Sequence, residues 1–422
     1  MRAVFASVIG FLGAVAIGAC SEGGGAAADA GGDAGTPDGG DADTDTDTWP
    51  DLDGLDCAFE LAGEPFVIRE ATSGHVAFPD IARLPSDEIL LVYRQAATHD
   101  VDPVGGIVRQ IGSADGLDWS APEVFHDTAD VDDRDPSVTV TAGGEVLVNW
   151  FPSVIETTAD GDFGVHQVFF GRSDDLGSSL DETDMVPNAS MSYPGAYLDA
   201  EDLWLDAAGE PVVVTACSSP IREIGDTLFI QSYGGYAWNT VNPAAPRSRI
   251  SLFASGDGGD TWAELPIAEG QAGDTWLQEP SLLALTANRW IVQLRTADGS
   301  SPGNAGNLWQ TTTNDGGATW SAYEDLGFVG HAPYLYRLSN GVLVSAFRWL
   351  NDAITSTNVN FIYSMDQGAT WSDMISILDP QIAEVGYPSI LELDGDKMLV
   401  VFYVGGTSIQ GAIYDFELVD AD

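Results

Sequence analysis

The chain has 422 residues, with 65 acidic side chains against 15 Lys and Arg, and a formal net charge of −50. A surface so acidic repels phosphate backbones and anionic headgroups, which excludes nucleic acid as an expected partner. Lys397 is the single lysine, so any cationic site must be built from arginine.

Residues 1–19 open with one arginine and continue as a small-apolar stretch, too short at its core for a membrane span. With the "IGAC" that follows, they resemble a bacterial lipoprotein signal. The resemblance implies a lipidated Cys20, an exported chain and membrane contact only through that anchor. Residues 20–56 are nearly all Gly, Ala, Asp and Thr, too polar to bury a core, and read as a disordered acidic tether. Asp43, Asp45, Asp47, Asp51 and Asp53 are spaced somewhat like a calcium loop, without its glycine and terminal Glu. They read as a solvated spacer, and no metal or other cofactor is expected. Cys57 and Cys217 are left as one disulfide or two free thiols.

From residue 57 to residue 422 the chain repeats itself. "FPDIARLPSDEILLVYR" (78–94), "DPSVTVTAGGEVLVNWF" (135–151), "EPSLLALTANRWIVQLR" (279–295), "APYLYRLSNGVLVSAFR" (332–348) and "YPSILELDGDKMLVVFY" (387–403) share one grammar. Each has Pro second, a short strand, a polar turn and a returning apolar strand. "EDLWLDAAGEPVVVTAC" (201–217) is read as a weaker sixth copy, with Asp202 in place of Pro. A second phrase follows most hairpins: "SGDGGDTW" (255–262), "TNDGGATW" (313–320) and "SMDQGATW" (364–371), with decayed forms at 113–119 and 173–180. Its Asp can accept backbone N–H bonds, its Gly tolerates positive φ, and its Trp can pack between sheets. Short antiparallel strands, Gly turns and six units of roughly 40 to 65 residues predict an all-β, six-bladed β-propeller. The N-terminal "CAFELAGEPFVIRE" (57–70) is expected to supply the outer strand of the last blade.

The S/T-x-D-x-G-x-x-W turn, once per unit, resembles the Asp-box (BNR) repeat of the sialidase superfamily, over residues 57–418. The resemblance implies a glycan substrate, an arginine clamp for its carboxylate, a tyrosine nucleophile assisted by glutamate, and an aspartate acid/base. Glu279 and Arg295 match the family's glutamate and one arginine in type and sixteen-residue spacing, and Tyr387 resembles its nucleophile. Two positions depart from the pattern. Ala77 stands where the family's first arginine belongs, and "GGIVRQIGS" (105–113), where the family's acid/base aspartate should precede the first box, holds none, so His99, Asp100 or Asp102 would substitute.

The phrase entrances also bring His75, Asp80, Arg134, Asp135 and His331 towards an axial funnel. Arg94, Arg295 and Arg348 share one repeat position and suit bidentate binding of an anionic sugar. The expected function is a sialidase-like glycan-cleaving hydrolase, acting as a monomer. Tyr387 and Glu279 form its nucleophilic pair, Asp80, Asp135 or His99 donates the proton, and Arg94, Arg134, Arg295, Arg348, His75 and His331 bind substrate. The competing readings are a non-catalytic glycan- or protein-binding Asp-box domain and a structural surface protein.

Overall fold

The computed structural model describes residues 49–421, apart from 101, 103, 159–160, 167, 176, 181, 186–196, 199–203, 206–212, 237–247, 270–274, 299–304, 352–355 and 379–383. Residues 1–19, Cys20 and the tether up to residue 48 therefore lie outside the described residues, as does Asp202.

The regular elements of the described residues are all strands, paired into antiparallel sheets. The first repeat unit is a four-stranded sheet, His75–Arg83, Ile89–Ala96, Gly106–Gly112 and Glu123–His126. The second runs Asp132–Val140, Val146–Thr158, Phe169–Ser173 and Glu182–Met185. Units four and five share one seven-stranded sheet because the strand Glu324–Arg337 ends one and begins the next. The last unit pairs Val385–Leu393, Lys397–Val404 and Ser408–Asp420. Leu55–Leu61 and Phe66–Glu70 both add to the edge of Ser408–Asp420, so the chain's N-terminal strands do cover the C-terminal sheet.

The returning strands are apolar on both faces because neighbouring sheets cover both. Ile89 to Tyr93 and Met398 to Tyr403 are fully buried throughout. Buried polar groups then tie one inner strand to the next. Asp80 Oδ2 accepts the Val138 amide at 2.9 Å, Ser281 Oγ accepts that of Leu335 at 3.0 Å, and Ser389 Oγ accepts that of Ile81 at 3.2 Å.

The third unit corrects the sixth repeat. Val213–Ala216 pairs with the far end of Thr227–Tyr236, and the short strand Arg222–Ile224 pairs with its near end. The inner hairpin thus turns at Gly225–Asp226 rather than within 201–217. Its two-residue turn is tighter than the others, which removed the fifteen-residue spacing that marked them. The two cysteines are free and buried in separate apolar clusters, so they form no disulfide with each other.

The Asp-box turns fold as their sequence requires. In the copy at 364–371, Asp366 Oδ1 accepts the Thr370 amide at 2.8 Å, and Asp366 Oδ2 accepts its hydroxyl at 2.7 Å. Ser364 Oγ accepts the Gly368 amide at 2.8 Å. The same bonds recur at 255–261 and 313–319. Two of the boxes reach the preceding unit, where Trp371 Nε1 donates to Gln310 at 3.0 Å and Trp262 lies 5.5 Å from Phe170, whereas Trp320 lies 6.4 Å from Trp290 of its own unit.

Candidate active site

The repeated Pro has a geometric consequence. Phe78, Asp135, Glu279, Ala332 and Tyr387 each precede it, and each has positive φ, between 46° and 58°. Proline bars its predecessor from the right-handed helical region. Each of these strands also carries a register shift at this point. A bulge re-aims the side chain it carries, at a cost of about 1–3 kcal/mol for a left-handed residue that is not glycine. Phe78, Asp135, Ala332 and Tyr387 thereby line one cavity with their prolines, Asp80, Ser137, Ser218 and Tyr334.

At this cavity Tyr387 donates its phenol proton to Glu279 Oε1 at 2.8 Å, and Arg295 Nη1 reaches the same oxygen at 2.9 Å. The other glutamate oxygen accepts the Ala332 amide at 2.8 Å, which fixes the carboxylate's orientation. Burial, followed by the charges of Glu279 and Asp135, raises the Tyr387 phenol well above its ordinary range, against the pull of Arg295. Phenolate is therefore not stored in the resting site. Tyr387 must give up its proton as it reacts, and Glu279 is placed to take it.

Asp135 stands on the same cavity, 4% exposed, and its Oδ1 has no hydrogen-bond partner among the described residues. Burial, with help from Glu279 and against Arg134, pushes its carboxyl up to about 7. It is thus largely protonated in mildly acidic solution, as a proton donor must be. Asp80 is pushed up to about 6 by burial, but both its oxygens are engaged by Ile81, Ser389 and Val138. That leaves Asp80 a strand-to-strand tie rather than a free acid. Asp102 is likewise consumed, accepting the amides of Ala97, Thr98 and Val104.

The arginines divide into two kinds. Arg94 is fully buried, and its five N–H donors all have partners. Nε and Nη2 hold Asp132 at 2.7 and 2.8 Å, Nη2 also meets Asp100 O, and Nη1 meets Thr98 O and His75 Nδ1. It has no donor left for a ligand, so the expected clamp of Arg94, Arg295 and Arg348 is not what the site presents. Arg134, held by Asp132 and the His99 carbonyl, lies 5.5 Å over the Phe78 ring, whose other neighbour is Tyr387 at 4.6 Å. The stem of Arg348 runs against Gly386, next to Tyr387, and its Nη1 meets Glu384 at 3.3 Å. Arg134, Arg295 and Arg348 are therefore the arginines grouped about Tyr387. Ala77, in the place of the family's first arginine, is buried opposite Arg94.

His75 and His331 are both buried, and burial first, then neighbouring positive groups, lowers both and keeps them neutral. Their Nε2 atoms have no partner among the described residues. His99 is half-exposed, with Nδ1 3.3 Å from Glu384 Oε2. Burial works to raise Glu384, yet His99 and Arg348 bring it down to about 2. Sequence reasoning missed Glu384 and Tyr233. Neither sits at the shared repeat positions, and Tyr233 is raised well above the ordinary phenol range by burial and by Asp135 and Glu279.

The BNR repeat-like domain family matches residues 241–400. Residues 241–400 thus carry a BNR repeat-like domain, within a chain of sialidase-like fold. The structure of a *Dyadobacter fermentans* protein of unknown function is similar at TM-score 0.67 and 20% identity, covering 85% of this chain and 99% of that one. A Hadza microbial sialidase is similar at TM-score 0.61 and 14% identity, covering 82% and 68%. A *Penicillium chrysogenum* α-L-arabinanase complexed with arabinobiose follows at 0.57 and 14%, covering 85% and 98%. No curated protein matches the chain. At these identities the likeness is one of fold, and the chemistry of the site rests on this chain's own residues.

Proposed function

We propose that this chain is a six-bladed propeller that hydrolyses a glycosidic bond of an anionic sugar by a two-step, retaining route. The observation that carries the reading is Tyr387 bonded to Glu279 at 2.8 Å, at one cavity with Asp135, whose Oδ1 has no partner among the described residues. Tyr387 Oη attacks the anomeric carbon as its proton passes to Glu279, and Asp135 gives its proton to the departing oxygen. Water then attacks the glycosyl–tyrosine bond, giving one proton to Asp135, and the tyrosine recovers its own from Glu279. Arg134 and Arg295 offer guanidinium edges to a substrate carboxylate, with Arg348 at the rim.

The test is a panel of fluorogenic glycosides of neuraminic acid, uronic acids and neutral sugars, run beside calorimetric binding. Tyr387→Phe should lower kcat by several orders of magnitude while barely changing affinity. Turnover that survives Tyr387→Phe would end the nucleophile assignment. The second reading, a glycan-binding module, draws support from the raised phenol and from Ala77. It predicts binding without turnover, with both Tyr387→Phe and Arg295→Lys altering affinity alone.

A further inference from the structure

Beside Tyr387 lies a second polar cluster, which shares Arg348 with the rim of the anion site and whose His99, Glu384 and His75 the reaction above does not use. His99 Nδ1 and Arg348 Nη1 hold opposite oxygens of Glu384, each at 3.3 Å. A potential ligand atom of His75 lies within 4.8 Å of those of His99 and Glu384. The His99, Glu384 and Arg348 side chains are 45, 32 and 18% exposed, so all three can meet a ligand from solution. The cluster is continuous with the candidate nucleophile, because the Phe78 ring lies 5.8 Å from His99 and 4.6 Å from Tyr387.

Two histidines and a carboxylate suggest a divalent metal, but the second nitrogen of His75 argues against one. An imidazole that ligates metal donates its other N–H to a carboxylate or carbonyl. His75 Nδ1 instead faces the guanidinium of Arg94 at 3.4 Å, a group that can only donate. Nδ1 must therefore accept, and neutral His75 carries its proton on Nε2, a donor 92% buried with its residue and without a partner. A free anion is opposed by Glu384, and a free cation by Arg348 and Arg94. What remains suited to interleaved donors and acceptors is a group that both donates and accepts, a hydroxyl.

We propose that His99, Glu384 and Arg348, backed by His75, form a subsite for two neighbouring hydroxyls of the glycan that Tyr387 engages. The subsite rests on the glycan reading above, though not on turnover. With the glycan from the panel that wild type binds best, His99→Ala should raise KM, or Kd if nothing turns over, about tenfold, as expected for one lost hydrogen bond. His99→Gln, whose side-chain amide can take the place of Nε2, the nitrogen not facing Glu384, should recover most of that loss. Monodeoxy analogues decide the assignment: removing the matching hydroxyl should cost wild type about tenfold and cost His99→Ala nothing further. Equal losses on both proteins overturn the subsite, as does stoichiometric uptake of Zn²⁺ that His99→Ala abolishes. Coupling seen in binding without turnover would sink only the hydrolase reading. Turnover without coupling would sink only the subsite, and absence of any glycan binding by folded wild type would sink both.

Discussion

At the scale of single residues, the site separates groups that are free to react from groups that hold the fold. Asp135, with a carboxyl near 7, should limit kcat/KM as pH rises through neutrality, because the proton donor is lost. Asp135→Asn should remove that alkaline limb together with most of the turnover of substrates that have a poor leaving group. The same shift has a stability consequence. A folded-state value above the unfolded one favours the folded state fully only below about 4, and the benefit is lost as pH rises towards 7. Melting temperature should therefore fall between pH 4 and 7 less steeply in Asp135→Asn than in wild type. The arginines give the contrasting case. Arg295→Lys should weaken anionic ligand binding roughly tenfold with little loss of stability, since an ammonium lacks the bidentate fork. Arg94→Ala should cost about 3 kcal/mol of stability in urea titration, because buried Asp132 loses the partner of its Oδ1 and keeps only Arg134 and the Asp102 amide on Oδ2. If Arg94→Ala folds normally and only ligand binding suffers, Arg94 belongs to the clamp after all.

At the scale of the element, the Asp box is a turn held by its own side chains. Asp366→Ala should cost about 1 kcal/mol, the usual worth of a capping side chain, with solvent replacing part of what is lost. Asp315→Ala should act in the same direction, and catalysis or binding per folded molecule should be unchanged in both. An Asp-box variant of normal stability with abolished ligand binding would place these turns at the site instead. This element was legible in the sequence because every bond in it spans four residues or fewer. The X-Pro entrance was equally legible, and four of its residues line the cavity. The third unit was not, because a turn two residues long replaces the longer one whose spacing identified the other five.

At the scale of the whole molecule, the N-terminal segment is bound far from the cavity. Trp49 lies 4.1 Å over Arg337, and Leu52 joins the core of the last two units. Arg337 ends the strand Glu324–Arg337, whose pairing with Leu343–Leu350 begins on the cavity side at Gly330 and His331. The described chain therefore starts at the opposite end of that strand from the candidate site. Lipidation of Cys20 is proposed from "IGAC". Labelled fatty acid should be found on wild type, and Cys20→Ala should move the protein into the soluble fraction. Absence of label on wild type would remove the anchor.

By itself the sequence determined the strand hairpins, their turns and the pairing of Glu279 with Arg295, since each is encoded within a few residues or within one hairpin. The tertiary structure decided which of those residues are free to act. Tyr387 meets Glu279 across 108 residues, and Arg94 is committed to Asp132 across 38. Burial between sheets raised Asp135 and left one of its oxygens unpaired, while neighbouring strands engaged both oxygens of Asp80. Repeat position placed these groups at one level of the fold. Their protonation and their spare hydrogen bonds depend on desolvation and on partners from other units, which no local pattern records.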